Sequence, residues 1–170
     1  MTTTTQTPVE PRVQCLPSDL SRFLGERGLL NLTLDAVQTV NPARFVTGER
    51  KRPAHRPQML LTLLTYCYAA RIYGSRDIEW ATRYDKTVRY ICARSFPEWQ
   101  ALRRFRRQNR TLVEQTLACV FKQAWALKFE QGEADYAGYD WFEFDLNREV
   151  NEAVKERLDV AALMDGAESE

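Results

Sequence analysis

Residues 59–73, which read MLLTLLTYCYAARIY, are the most apolar stretch of the chain. The stretch is interrupted only by Thr62, Thr65 and Arg71, and it is too short to span a membrane. Pro57 suits the first turn of a helix and Gly74 suits its end. Because almost every side of such a helix would be apolar, we predict a buried helix over residues 58–73 at the centre of the fold.

Apolar residues recur at helical spacing on both sides of this central helix, and strand patterns are nearly absent. Before it, short helices are predicted after Ser18 and after Thr33, and Asn41-Pro42 ends the second of them. After it, a helical segment that begins at Ser75 is predicted to break near Asp85. The fold class predicted from these patterns is all-α.

The second half of the chain contains a further helix-start signal. Ser95-Phe96-Pro97-Glu98 has the form of a capping box, and the helix that it opens is predicted to run to about Phe129. Residues 139–144 are the one segment with β character. We predict a compact multi-helix domain over residues 15–130 with a helix-turn-helix-like portion. It is preceded by a disordered N-terminus over 1–14 and followed by an acidic aromatic tail with an amphipathic helix over 131–170.

The charges of the chain are divided unevenly along its length. The 170 residues have a net charge of +1, but residues 1–129 contain 21 Lys/Arg against 10 Asp/Glu, and residues 130–170 contain 3 against 13. A basic body joined to an acidic tail favours a polyanionic partner.

Several classes of protein are not supported by the composition. Four cysteines lie far apart without a CxxC pair, and His55 is the only histidine, so neither a zinc site nor a Ser/His or Cys/His catalytic pair is expected. We predict no metal, no cofactor and reduced thiols. The Thr/Pro-rich N-terminus lacks the apolar core of a signal peptide or membrane anchor, which favours a cytoplasmic protein without a membrane partner.

Residues 99–110, WQALRRFRRQNR, concentrate positive charge on one predicted helix. Its five arginines are Arg103, Arg104, Arg106, Arg107 and Arg110. Four of them fall within an arc of about 100° that is turned away from the apolar positions, and Arg104 lies to one side. Arginine suits phosphates and guanine edges, and Gln100 and Gln108 could add base-edge contacts. A solvated helix face is the alternative, but Glu98 and Glu114 are too few to neutralise five arginines.

A second basic cluster lies at residues 49–56, ERKRPAHR. Its cations are Arg50, Lys51, Arg52 and Arg56. They could bind phosphates, which would increase affinity and salt dependence without selecting a sequence. A flexible, solvated loop is an equally good interpretation of the same residues.

Four motifs between residues 53 and 110 resemble the N-terminal domain of InsH-type insertion-sequence transposases of the DDE class. They are Arg56-Pro-Gln-Met-Leu-Leu61, Tyr66-Cys-Tyr68, Ile72-Tyr-Gly-Ser-Arg-Asp-Ile-Glu79, and Phe96-Pro-Glu followed by Leu102-Arg-Arg-Phe-Arg-Arg107. The resemblance implies a helical domain that binds the terminal inverted repeats of a mobile element. It also places Arg76 and Arg104 in motifs of that family. Arg71 departs from the pattern, since the family usually has glycine there.

The resemblance ends near residue 129, where the family continues into an RNase H-like catalytic domain. The tail carboxylates Asp135, Asp140, Asp145 and Glu149 cannot form a two-metal site without separated elements to hold them. We therefore predict that this chain alone is not an enzyme. A separately encoded catalytic chain could supply the activity.

Three hypotheses remain open for the tail. It could pack on the helical core, it could compete with DNA for the arginine face, or its amphipathic helix over residues 146–163 could form a homodimer. The leading prediction of function is a non-catalytic protein that binds duplex DNA, whether as a remnant, a split subunit or a domesticated regulator of a transposase. The rival is a protein-interaction module.

Overall fold

The structure, a computed structural model of the chain, describes residues 20–48, 54–130 and 139–167. These residues form seven α-helices and a 3₁₀ turn at Pro42–Arg44, without a strand, so the all-α prediction is confirmed. The helices are α1 (Leu20–Gln38), α2 (Pro57–Ala69), α3 (Ser75–Tyr84), α4 (Lys86–Cys92), α5 (Trp99–Gln108), α6 (Arg110–Glu130) and α7 (Tyr139–Ala167). The predictions for residues 1–14 and 131–138 lie outside the described residues.

Helix α2 is the centre of the fold, as its apolar sequence predicts. Every residue from Leu60 to Ala69 is buried, and α2 contacts α1, α4, α5, α6 and α7. The helix ends four residues earlier than expected because the chain reverses at Arg71, which has a φ of 66°. Its thiol Cys67 is buried, and burial raises the pKa of that thiol well above its usual range.

The left-handed backbone at Arg71 gives a stability prediction. A residue with a Cβ in this region costs about 1 kcal/mol relative to glycine. We therefore expect Arg71→Gly to raise the free energy of unfolding by about 0.5–1 kcal/mol, as measured by urea denaturation. Arg71→Ala is the matched control, since it removes the same charge but keeps the Cβ. Equal stabilities of the two variants would contradict the prediction.

The N-terminal region has the two helical stretches predicted for it, but they meet at a kink within α1 at Gly25, not at a second start after Thr33. Gly25 produces the kink with a φ of 71°, and the helix then continues to Gln38. Thr33 does not cap a helix start. Its buried hydroxyl donates to the carbonyl oxygen of Leu29 at 2.8 Å, which satisfies it within the helix.

The predicted long helix from Trp99 to Phe129 is interrupted at Asn109. Buried Asn109 accepts a hydrogen bond from the Val46 backbone N–H at 2.8 Å, and its amide donates to the Val46 carbonyl oxygen at 3.1 Å. These bonds hold the 45–48 segment against the junction of α5 and α6. Because of this interruption, α5 is a separate helix of only 10 residues.

The start of α5 also differs from the prediction, because no capping box forms there. Glu98 occupies the N-cap position, but its side chain makes no capping hydrogen bond. Instead, the Trp99 backbone N–H donates to the Glu79 carboxylate of α3 at 3.0 Å. A neighbouring helix thus supplies the cap, which fixes the start of α5 against α3.

Helix α7 is part of the hydrophobic core. The segment over residues 139–144, predicted to have β character, is helical. Its buried residues include Val150, Val154, Leu158 and Ala161. The helix contacts α6, α3 and α2. The hypothesis that the tail packs on the core is confirmed for residues 146–167. The apolar stripe that suggested a homodimer is therefore covered within the same chain.

Candidate nucleic-acid interface

The outer face of α5 brings together most of the basic residues predicted for this helix. The exposed residues of this face are Arg104, Arg107, Gln100 and Gln108, and Arg103 beside them is half-buried. Together with Trp99 they line an open groove of about 480 Å³. None of the described ion pairs involves Arg104 or Arg107, so their positive charges are directed to solvent.

A second groove of about 400 Å³ lies on the other side of α5, and Arg104 and Gln108 line both grooves. Its lining includes Gly48 and Ala54, which flank residues 49–53. The predicted phosphate contacts Arg50, Lys51 and Arg52 lie outside the described residues, so their role stays a prediction. Arg56 is exposed at the N-cap of α2.

Arg106 does not belong to this surface, and its prediction as an exposed contact is wrong. Its exposed fraction is 4%, and its guanidinium Nη1 lies 2.5 Å from Asp165 Oδ2 and 3.5 Å from the Tyr68 hydroxyl. Because α5 packs against both α2 and α3, the buried stripe of α5 is broad enough to include Arg106 along with Leu102 and Phe105.

The carboxylate that pairs with Arg106 also holds the start of α3. Asp165 is 2% exposed and accepts hydrogen bonds from the Ser75 backbone N–H at 2.9 Å and from the Ser75 hydroxyl at 2.8 Å. Nearby, burial raises the pKa of Tyr68 to about 12, so this phenol keeps its proton at physiological pH. The cluster is a structural link between α2, α3, α5 and α7 rather than a ligand site.

Arg110 is also placed differently from its prediction. It is the first residue of α6, and it pairs with Glu114 and with Asp159 of α7, each at 2.9 Å. Asp159 is itself exposed, so the guanidinium is partly accessible and partly neutralised. Arg110 therefore contributes less free positive charge than Arg104 and Arg107.

An aromatic surface on α3 was not identified from the sequence. Trp80 and Tyr84 are 63% and 66% exposed, and their ring centroids lie 4.6 Å apart. On the same helix, the guanidinium of Arg76 lies 4.5 Å from the centre of the Trp99 ring. The spacing of Arg76, Trp80 and Tyr84 by four residues was the available signal, since it places all three on one helix face.

Among residues 20–48, 54–130 and 139–167, no group of three or more His, Cys, Asp or Glu side chains is arranged to hold a metal ion. Within the same ranges, no helix is sufficiently long and apolar to cross a membrane.

One family model matches the part of the chain that contains this surface. Residues 29–108 match the family model described as a transposase domain (DUF772). The match covers somewhat less than half of the chain and extends from within α1 to the end of α5. Neither the curated proteins nor the solved structures contain a match. Residues 29–108 thus resemble a transposase domain.

Proposed function

We propose that this protein binds duplex DNA through the outer face of α5 and has no catalytic activity of its own. The observation that carries the proposal is the pair of exposed arginines, Arg104 and Arg107, in a groove that also exposes Gln100 and Gln108. Among the described ion pairs, the α7 carboxylates Asp165 and Asp159 pair with Arg106 and Arg110, and none of the pairs involves Arg104 or Arg107. A polyanion is the ligand that complements this surface.

The dimensions and chemistry of α5 support contact with the major groove. An α-helix with its side chains is about 10–12 Å wide, and the major groove of B-DNA is about 12 Å wide. Arg104 and Arg107 would bind phosphates or guanine edges, while Gln100 and Gln108 would contact base edges. Since α3 packs against both α4 and α5, this unit would act as a helix-turn-helix with α5 as the recognition helix.

The transposase-related match supports the same function, because it contains the whole of α5. We infer that the target is a terminal inverted repeat of a mobile element. In this proposal a separate chain supplies catalysis. Further phosphate contacts around α5 would come from the basic residues Arg50, Lys51, Arg52, Arg56 and Arg76. Arg103 would add to the binding of DNA from within the groove.

Binding to duplex DNA across a salt series tests the proposal. We expect Arg104→Ala/Arg107→Ala to weaken binding by about tenfold or more, and to reduce the slope of log K against log salt concentration by about 2. Fluorescence anisotropy of a labelled duplex, with fragments selected from a random pool, would measure both quantities and the sequence preference.

The control variant is Arg27→Ala/Lys155→Ala, which removes the same charge from exposed positions on α1 and α7. It should keep the wild-type salt slope to within about 0.5. If both double variants lost the same amount of DNA-binding affinity, binding would depend only on the net charge of the protein. That result would overturn the role of α5. Absence of salt-dependent binding by the wild-type protein would overturn DNA binding and favour the protein-interaction alternative.

A further inference from the structure

The exposed aromatic residues of α3 form a surface that the contact between α5 and duplex DNA does not use. Arg76, Trp80 and Tyr84 follow one another at intervals of four residues and are all exposed. The stripe spans about 12 Å, because a helix rises 1.5 Å per residue. The two adjacent rings, each almost two-thirds exposed, form an apolar patch that is open to a ligand.

This aromatic stripe continues into the arginine groove of α5. Trp99 lines that groove, and the Arg76 guanidinium lies over the Trp99 ring at 4.5 Å. The backbone of Trp99 is fixed to α3 by its hydrogen bond with Glu79. A chain of nucleotides that leaves the α5 groove past Trp99 would therefore reach Trp80 and then Tyr84 on a single rigid unit.

The small area of the stripe, together with the arginine groove that it adjoins, favours a nucleic-acid strand over a protein surface. Arg76 and Arg83 are exposed beside the rings, as is Asp77, and the Glu79 carboxylate accepts the Trp99 N–H and lies 3.7 Å from Arg83. The two rings offer only about 300 Å² of apolar surface, which is well below the roughly 800 Å² per partner of a stable protein interface. Aromatic rings flanked by cations are typical of surfaces on which unpaired bases stack.

We propose that Trp80 and Tyr84 bind unpaired nucleotides, so that the preferred ligand is a junction between duplex DNA on α5 and a single strand on α3. The inference rests on the proposed duplex binding by α5 and specifies the substrate class of that surface. Each ring stacks on one base, and Arg76 binds the phosphate between the stacked bases and the duplex. Stacking is tolerant of sequence, so the overhang contributes affinity without base preference.

The test compares a blunt duplex with the same duplex carrying an overhang of about four thymidines at its 5′ or its 3′ end. We expect the full chain to bind one of the two overhang duplexes about tenfold more tightly than the blunt duplex. Trp80→Ala/Tyr84→Ala should abolish this advantage and leave affinity for the blunt duplex unchanged. Trp80→Phe should retain most of the advantage, because it keeps an aromatic face.

A fluorescent base gives a direct readout of stacking in the same complexes. 2-Aminopurine in the overhang should be quenched by the wild-type protein and not by Trp80→Ala/Tyr84→Ala. The matched control is Tyr90→Ala, which removes an equally exposed ring from α4 and should change neither affinity nor quenching.

The outcomes separate this inference from the function on which it rests. Binding of the blunt duplex without any overhang advantage, or an advantage that survives in Trp80→Ala/Tyr84→Ala, overturns the stacking surface and leaves duplex binding intact. Failure to bind both ligands overturns both proposals. Loss of blunt-duplex binding in Trp80→Ala/Tyr84→Ala would also contradict the separate roles of α3 and α5.

Discussion

Asp165→Ala is expected to lower the free energy of unfolding by about 3–5 kcal/mol, because it breaks a buried ion pair and leaves its partner charged. The substitution would leave the 4% exposed guanidinium of Arg106 without its carboxylate. It would also remove the acceptor for the Ser75 backbone N–H and hydroxyl at the start of α3. Urea denaturation followed by circular dichroism measures the loss.

Two control variants distinguish this link from surface charge and from a simple packing defect. Asp159→Ala removes an exposed partner of Arg110 and should lower stability by less than about 1 kcal/mol. The double variant Arg106→Met/Asp165→Leu replaces both charges with apolar side chains and should be more stable than Asp165→Ala alone. A loss below about 1 kcal/mol for Asp165→Ala would contradict the structural role of the buried pair.

Removal of α7, with the chain ended at residue 138, is expected to abolish cooperative unfolding. Val150, Val154 and Leu158 are buried, and each such side chain contributes about 1.5–3 kcal/mol to a protein whose stability is about 5–15 kcal/mol. Arg157 would be lost as well, and its Nη1 donates to the Tyr68 carbonyl oxygen at 2.6 Å near the end of α2. Calorimetry should detect no unfolding transition in the shortened chain.

A shortened chain that unfolds with the wild-type midpoint would contradict the place of α7 in the core. If the prediction holds, truncation cannot test whether the acidic tail competes with DNA, since the arginine surface would be lost with the fold. Asp159→Ala is the better variant for that question, because it removes the tail carboxylate that pairs with Arg110 and leaves the buried residues of α7 in place.

The features that sequence patterns predict here are those with local causes. The apolar density of residues 59–73 predicts α2, and the break near Asp85 follows from a side chain that accepts the Val88 N–H three residues later. Exposure of Arg107 is likewise predicted by its helical phase, whereas Arg104, which the same phase places to one side, is also exposed.

The features that were missed depend on partners far along the chain. Asn109 ends α5 because it binds Val46, and Glu79 replaces the predicted capping box because α3 lies beside the start of α5. Arg106 is buried because Asp165, from the last turns of α7, reaches it. Helical phase alone cannot distinguish a buried arginine from an exposed one, since the difference lies in a carboxylate on another helix.

Photo-crosslinking from α5 to DNA is the most direct test of the proposed interface. Benzoylphenylalanine at Gln108, an exposed residue that lines both grooves, would be compared with the same group at Glu152, an exposed residue of α7. We predict a crosslink to duplex DNA from position 108 that weakens with salt, and little or none from position 152. Equal crosslinking from both positions, or crosslinking from 152 alone, would contradict binding through α5.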